Sequence, residues 1–597
     1  MTTNDKDAPA ELEKLNANLQ KIETLSQRLI HALGDKRVPN PALEGPGQEL
    51  YAKAIAAWMA DAVANPAKII EQQIAWWGKS LKHYVEAQQV LAKGKLDVPP
   101  DPTPKDRRFA NPLWDSHPYF NFIKQQYLMN VEAVETAVKG IDPLDPHDRK
   151  RLGYFMRQLL DMLAPTNFLA TNPDALEKAV ATDGESLVRG LENLVRDVEA
   201  NHGDVLVTLA DREAFHVGRN LATTPGAVVY RNRMMELIQY APTTPTVHAT
   251  PLVIFPPWIN KFYVMDLKPQ NSLIRWIVDQ GFTLFVVSWK NPGPDYRDVG
   301  MDDYVEEGFL RAIAEVRAIC GTKTVNAVGY CIAGTTLALT LSLMAKRKDR
   351  SVGSASFFTT LTDFSDRGEV GVFLDNDFVD GIEAQVTRDG YLDKYFMGRT
   401  FSFLRSNDLI YQPAIRSYMM GEPPPAFDLL YWNGDGTNLP AKMAVEYLRG
   451  LCQQDRFATN GFPLAGTEVK LSGVTVPVFA VACETDHIAA WKGSFAGLRG
   501  MGSADKTFIL AESGHIAGII NPPNREKYGY YTGGGEIDSP EAWKDRATRT
   551  PGSWWPVWGA WLAERSGRRV PARQPGDEAH PVLAPAPGSY VTETPSV

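Results

Sequence analysis

From Val325 to Ala345 the chain reads VNAVGYCIAGTTLALTLSLMA and carries no charged side chain. A run of that length and polarity has two physical solutions: a helix across a bilayer, or a segment buried on all sides in a protein core. Its internal order decides between them. A short apolar run ends at Gly329, small residues follow, and Leu and Thr then recur at helical intervals. That is a buried strand, a tight turn and a buried helix, so the chain is read as soluble. The N-terminus, MTTNDKDAPAELEKL, has neither the basic nor the apolar region of a secretory signal.

The surroundings agree. From about residue 249, continuous apolar runs (TPLVIF, TLFVVSW, TVNAVGY, SASFFTT, VPVFAVAC, KTFILAE) alternate with helical stretches such as DDYVEEGFLRAIAEVRAIC. Strands apolar on both faces, separated by helices, predict a mostly parallel sheet with helices on both sides: an α/β-hydrolase fold once the turn at Cys331 is included. More than a hundred residues separate SASFFTT from VPVFAVAC, too many for a plain crossover, and a cap at about 361–473 is expected there. A mainly helical N-terminal domain, 1–210, is expected from Leu12, Leu15, Leu19, Ile22, Leu29 and Leu33, and then Ile70, Ile74, Trp77, Leu81, Tyr84 and Leu91. The catalytic domain would span 211–565, and 566–597 reads as an extended or disordered Pro/Ala-rich tail.

Composition narrows the function. Against 71 acidic residues stand 62 basic ones, a net charge of −9, which argues against a nucleic-acid groove. The four cysteines include no Cys-x-x-Cys pair, so neither a disulfide framework nor a zinc site is expected, and a reducing cytosol suits the chain.

Gly329-x-Cys331-x-Ala333-Gly334 follows a strand and opens a helix, the setting of a nucleophile elbow whose usual form is Gly-x-Ser-x-Gly. Such a turn strains its central residue and lifts the side chain above the sheet. In this fold the acid and the histidine follow the nucleophile, each after a late strand. Glu484-Thr485-Asp486-His487 follows VPVFAVAC, and Ser513-Gly514-His515 follows KTFILAE. Either Glu484 or Asp486 is placed to orient His515, with Asp486 preferred because it lies further beyond the strand; Asp486 is also suited to cap IAAWKGSFAGL. His515 would take the Cys331 proton and Asp486 would hold the imidazole tautomer. The Ile332 amide supplies one oxyanion donor, and the loop after TPLVIF a second, from Trp258 or Ile259, of which Ile259 is carried forward. Cys320, Cys452 and Cys483 read as packing residues. A thiol nucleophile exchanging with a thioester keeps the acyl group activated, which favours acyl transfer to a hydroxyl. A cysteine hydrolase cleaving thioesters would use the same residues, and a non-catalytic scaffold with a spent hydrolase fold is a third reading.

Taken together, RRFANPLWDSHPYFNFIKQQYLM, VGRNLATTPGAVVYRN, PPWINKFYVMDLKPQNSL, VSWKNP, GYCIAGT, LRSNDLIY, FDLLYWNGDGTNLP, CETDHIAAW, SGHIAGIINPP and the closing APGSYV resemble the polyhydroxyalkanoate synthases, specifically the single-subunit class I type. The resemblance implies a fold and an activity: polymerisation of (R)-3-hydroxyacyl-CoA, chiefly 3-hydroxybutyryl-CoA, with release of CoA and no separate cofactor or metal. It implies that Cys331 carries the acyl group, with Asp486 and His515 catalytic. It assigns His487, Asp266 and Arg405 to near-site support, Arg405 toward the CoA phosphates. It also implies a homodimer at the surface of cytoplasmic polyester granules, with the growing chain as partner. The family's elbow usually has Gly where this chain has Ala333, and that methyl is expected to spread the strand–helix contact slightly.

Overall fold

The computed structural model describes residues 8–34, 48–93, 106–536 and 538–593. The chain divides into two compact units, residues 1–211 with 405–425, and residues 212–404 with 426–597.

The second unit is built on one large sheet. Its strands are β1 (Gly226–Arg231), β2 (Met235–Tyr240), β3 (Leu252–Phe255), β4 (Leu284–Trp289), β5 (Val325–Tyr330) and β6 (Val352–Phe358). They are followed by β7 (Val478–Cys483), β8 (Lys506–Ala511), β9 (Gly529–Thr532), β10 (Thr548–Pro551) and β11 (Ala584–Pro585). The spatial order is β10-β9-β8-β7-β6-β5-β3-β4-β2-β1-β11. Strands β3 to β8 pair in parallel, and the flanking strands are antiparallel. Every residue of β5 and of β7 is buried, which is why these strands read as unbroken apolar runs. After β3 the chain steps outward to β4 and then returns to place β5 on the other side of β3. This reversal puts the loops after β3 and β5 side by side, and open α/β sheets hold their sites at such reversals. The strand order and the elbow define an α/β-hydrolase fold. The helix after the elbow, Ile332–Lys346, is buried from Ile332 to Met344, so the uncharged run of the sequence is core. Among the described residues no helix is long and apolar enough to cross a membrane.

The first unit is helical, with Ala8–Gly34, Gln48–Ala64, Pro66–Lys93, Pro118–Lys139, Pro146–Met162 and Glu185–Ala200 as its longer helices. Phe109 and Trp114 of the RRFANPLW block bury their rings here, meeting edge to face at 4.9 Å, and the Arg108 guanidinium donates to the Tyr127 hydroxyl at 3.2 Å and to Asp161 at 2.9 Å.

Two parts of the chain differ from the sequence-based layout. The segment 361–473 is not one cap, because residues 405–425 belong to the helical unit. Tyr418 donates to Asp197 at 2.9 Å, Asn193 donates to the Ser417 and Glu422 carbonyls, and a Cβ at Gly190 would stand 2.0 Å from the Tyr418 carbonyl oxygen. The tail is ordered through its described residues. Arg569–Pro571 pairs with Thr246–His248, β11 pairs with β1, and buried Glu236 accepts from the Ser589 and Tyr590 amides at 2.9 Å each. Prolines are tolerated there because both strands lie at an edge.

Candidate active site

Cys331 sits at φ 55° and ψ −127°, in the left-handed half of backbone space that a side chain rarely occupies. The turn around it is over-determined. Its amide donates to the Phe358 carbonyl at 2.8 Å, its carbonyl accepts from Gly334 at 2.9 Å, and the Thr360 hydroxyl donates to the same carbonyl at 3.2 Å. A Cβ on Gly329 would lie 2.5 Å from the Gly334 Cα, and one on Gly334 would lie 2.0 Å from Thr360 Oγ1. The close approach of strand and helix is therefore Gly329 to Gly334. Ala333, next to that contact, is fully buried.

Strands β7 and β8 pair with Cys483 opposite Ala511, and the loops beyond stay zipped by Glu484 N–H to Ala511 O (2.8 Å) and Thr485 N–H to Ser513 O (3.0 Å). This register brings Asp486 and His515 together. His515 Nδ1 lies 2.7 Å from Asp486 Oδ2, with the two side chains 7% and 0% exposed. Asp486 Oδ1 meanwhile accepts the Ile488 and Ala489 amides at 2.8 and 2.9 Å, so the residue is both a cap and the partner of the histidine. Glu484 turns away and pairs with Lys544. Burial disfavours the charged His515 ring, yet the Asp486 carboxylate and the nearby Cys331 sulfur raise its pKa well above the ordinary value. With Nδ1 held by the carboxylate, Nε2 is the nitrogen available to the sulfur. The other thiols are placed differently: burial pushes Cys320 and Cys452 up to about 12 and raises Cys483 well above the ordinary thiol range.

Ile332 is the first residue of its helix, where amides have no intrahelical acceptor. Phe255 at the end of β3 pairs with Gly329 of β5, which sets the loop holding Ile259 beside the elbow. That loop is fixed by Trp258 Nε1 donating to Thr336 (3.2 Å) and by the Ile259 carbonyl accepting from Thr437 (2.9 Å). Of the supporting candidates, His487 is half-buried next to Asp486. Asp266 is buried and accepts from the Thr224 amide and hydroxyl (3.1 and 2.7 Å) and from Ser272 (2.6 Å). Burial raises its pKa against those bonds, and its visible role is to staple loops. Arg405 is exposed and belongs to the helical unit.

Several residues near the site were not singled out from sequence. Tyr330 stacks on His515 with centroids 6.0 Å apart and donates to its carbonyl at 3.3 Å. Trp554 and Trp555 donate to the Gly518 and Ile519 carbonyls at 2.8 Å each, holding the loop that carries His515. Tyr447 meets Trp258 edge to face at 5.5 Å, and its hydroxyl, kept neutral first by burial, lies close enough to Cys331 and Cys452 to be affected by their charges. The run of tryptophans in SWWPVWGAW was the available signal for the second group.

A half-buried Cys331 and buried His515 and Asp486 lie at the carboxyl ends of the parallel strands of an α/β-hydrolase fold. The comparisons with known proteins carry it further. Residues 105–277 match the family described as Poly-beta-hydroxybutyrate polymerase (PhaC) N-terminus. The chain is 40% identical to the poly(3-hydroxyalkanoate) polymerase subunit PhaC of Rhizobium etli, over 89% of this chain and 84% of that one. It is 44% identical to the poly(3-hydroxyalkanoate) polymerase of Methylorubrum extorquens (82% and 81%) and 38% identical to the PhaC subunit of Cupriavidus necator (86% and 87%). The chain belongs to the poly(3-hydroxyalkanoate) polymerase family. Among solved structures, a Paleococcus ferrophilus monoacylglycerol lipase is 12% identical, covering 56% of this chain and 99% of its own with a TM-score of 0.31.

Proposed function

We propose that this chain is a single-subunit class I synthase that polymerises short (R)-3-hydroxyacyl-CoA, chiefly 3-hydroxybutyryl-CoA, through an acyl group carried on Cys331. The observation that carries the reading is the Asp486–His515 bond at 2.7 Å, with Cys331 near enough to the ring to raise its pKa. His515 takes the thiol proton, the sulfur attacks the thioester carbonyl, and the new carbon–sulfur bond to Cys331 replaces the bond to CoA. The proton held by His515 leaves with CoA. The hydroxyl of a further monomer or of the chain end then attacks the Cys331 thioester, its proton passes to the site, and the ester bond releases the thiolate for the next cycle. In each half, charge grows on a carbonyl oxygen that the Ile332 and Ile259 amides are placed to receive. Incubation with 3-hydroxybutyryl-CoA is expected to release CoA in step with insoluble polyester. Free hydroxybutyrate as sole product would make the protein a thioesterase.

The same reading places a homodimer in the cytoplasm, at the surface of the polyester it makes. Ile70, Ile74, Trp77, Leu81 and Tyr84 form an exposed apolar stripe along Pro66–Lys93, which supports contact with such a surface. Replacing Ile74 and Leu81 by Glu is expected to free the protein from sedimenting granules; unchanged retention would remove this part.

A further inference from the structure

Two blocks of the sequence, YWNGDGTNLP and APGSYV, take no part in the chemistry above, yet both close on the loop that follows β3. Trp432 Nε1 donates to the Lys261 carbonyl at 2.7 Å, and Tyr263 donates to Asp435 at 2.8 Å. From the other side, the Lys261 ammonium, 4% exposed, reaches the Tyr590 carbonyl at 3.4 Å. A lysine is rarely retained in such surroundings without a task, because removing an ammonium from water costs several kcal/mol that weak partners do not return. Burial lowers its pKa, while the nearby Asp435 and Glu593 carboxylates act the other way.

The segment that Lys261 reaches is itself firmly seated. Glu236, fully buried, accepts from the Ser589 hydroxyl as well as from the two amides, and Tyr590 donates to the Asn232 carbonyl at 2.7 Å. The Lys290 ammonium lies 4.4 Å from the Tyr590 ring centroid and pairs with Glu593. Gly588 has φ +81°, and a Cβ there would stand 2.3 Å from Glu236 Oε2, so glycine is required for the chain to close over that carboxylate.

We propose that Lys261 is a positioning residue for acyl transfer, through which the seated segment Gly588–Glu593 holds the loop carrying Ile259 at its working distance from Cys331. The proposal rests on the reading of the Ile259 amide as an oxyanion donor. It separates two steps that differ in their need for that donor. Attack on a thioester builds charge on oxygen, whereas alkylation of Cys331 by iodoacetamide displaces iodide at a saturated carbon and builds none.

In the full-length protein, Lys261→Met is expected to lower kcat with 3-hydroxybutyryl-CoA by about 10- to 100-fold, part of the loss that follows removal of a whole oxyanion donor. KM and the iodoacetamide rate at Cys331, followed by peptide mass, should stay at wild-type values, and Lys261→Arg should recover most of kcat. Gly588→Ala should lower kcat similarly, and the double variant should be no worse than the poorer single one. An unchanged kcat in Lys261→Met, or a parallel fall in kcat and alkylation, would overturn the proposal. Alkylation of His515→Ala at the wild-type rate would instead overturn the reading of the site itself.

Discussion

Asp486 Oδ2 lies 2.7 Å from His515 Nδ1 although the residues come from different loops, and the bond exists because β7 and β8 pair with Cys483 opposite Ala511. Its consequence is electrostatic. His515 has its pKa raised, so its charged form stabilises the fold fully below its ordinary value near 6.5 and loses that contribution as pH rises through the higher folded value. Asp486→Asn removes the charge while leaving Oδ1 to accept the Ile488 and Ala489 amides. The gap in urea midpoint between wild type and this variant is therefore expected to be largest below the ordinary histidine value near about 6.5 and to narrow as pH rises through the raised folded value. A gap that widens with pH would contradict the assignment.

The strain at Cys331 sets stability against activity. Glycine adopts φ 55° and ψ −127° without penalty, so Cys331→Gly should stabilise the protein by about 1 kcal/mol in urea unfolding while abolishing CoA release. A less stable variant would mean that the side chain contributes more through packing than it costs in backbone strain. Cys331→Ser should retain the fold and lose nearly all activity, since serine ionises far less readily.

Gly334 and Ala333 should respond differently to a single methyl. Gly334→Ala forces a carbon to within 2.0 Å of Thr360 Oγ1 and is expected to cost about 1–3 kcal/mol of stability and much of the activity. Ala333→Gly should change stability by no more than about 1 kcal/mol, the helix-propensity cost, with little change in turnover. Equal effects in thermal melting would show that the clearance lies elsewhere.

Trp555→Phe keeps the ring's bulk but withdraws the donor from the Ile519 carbonyl, which then stays buried and unpaired. The expected cost is about 1–3 kcal/mol, with kcat falling more than KM changes because the affected loop carries His515. Wild-type kcat at reduced stability would confine this indole to a structural part.

The site's skeleton was legible because it is local. Cys331, Asp486 and His515 each stand within a few residues of a strand end, and apolar runs mark strand ends well. The choice between Glu484 and Asp486 needed the fold, since only packing sends Glu484 to Lys544. The clearance at Gly334 also needed the fold, because residue spacing does not say which Cα crosses the strand. Membership of 405–425 in the helical unit rests on contacts such as Tyr418 with Asp197, far apart in the chain and without periodic signature. The tail's prolines obscured two short edge strands. Lys261 gave no signal in sequence, because a buried ammonium looks like any surface lysine until its surroundings are known.

The account stands on acyl transfer through Cys331. The most direct measurement is to mix the protein with 3-hydroxybutyryl-CoA, quench within the first turnovers, digest, and weigh the peptides. A hydroxybutyryl group, or a short ester of it, is expected on the peptide bearing Cys331, absent in Cys331→Ala and slow to form in His515→Ala. The group found on another residue, or polymer made by Cys331→Ala, would contradict the account.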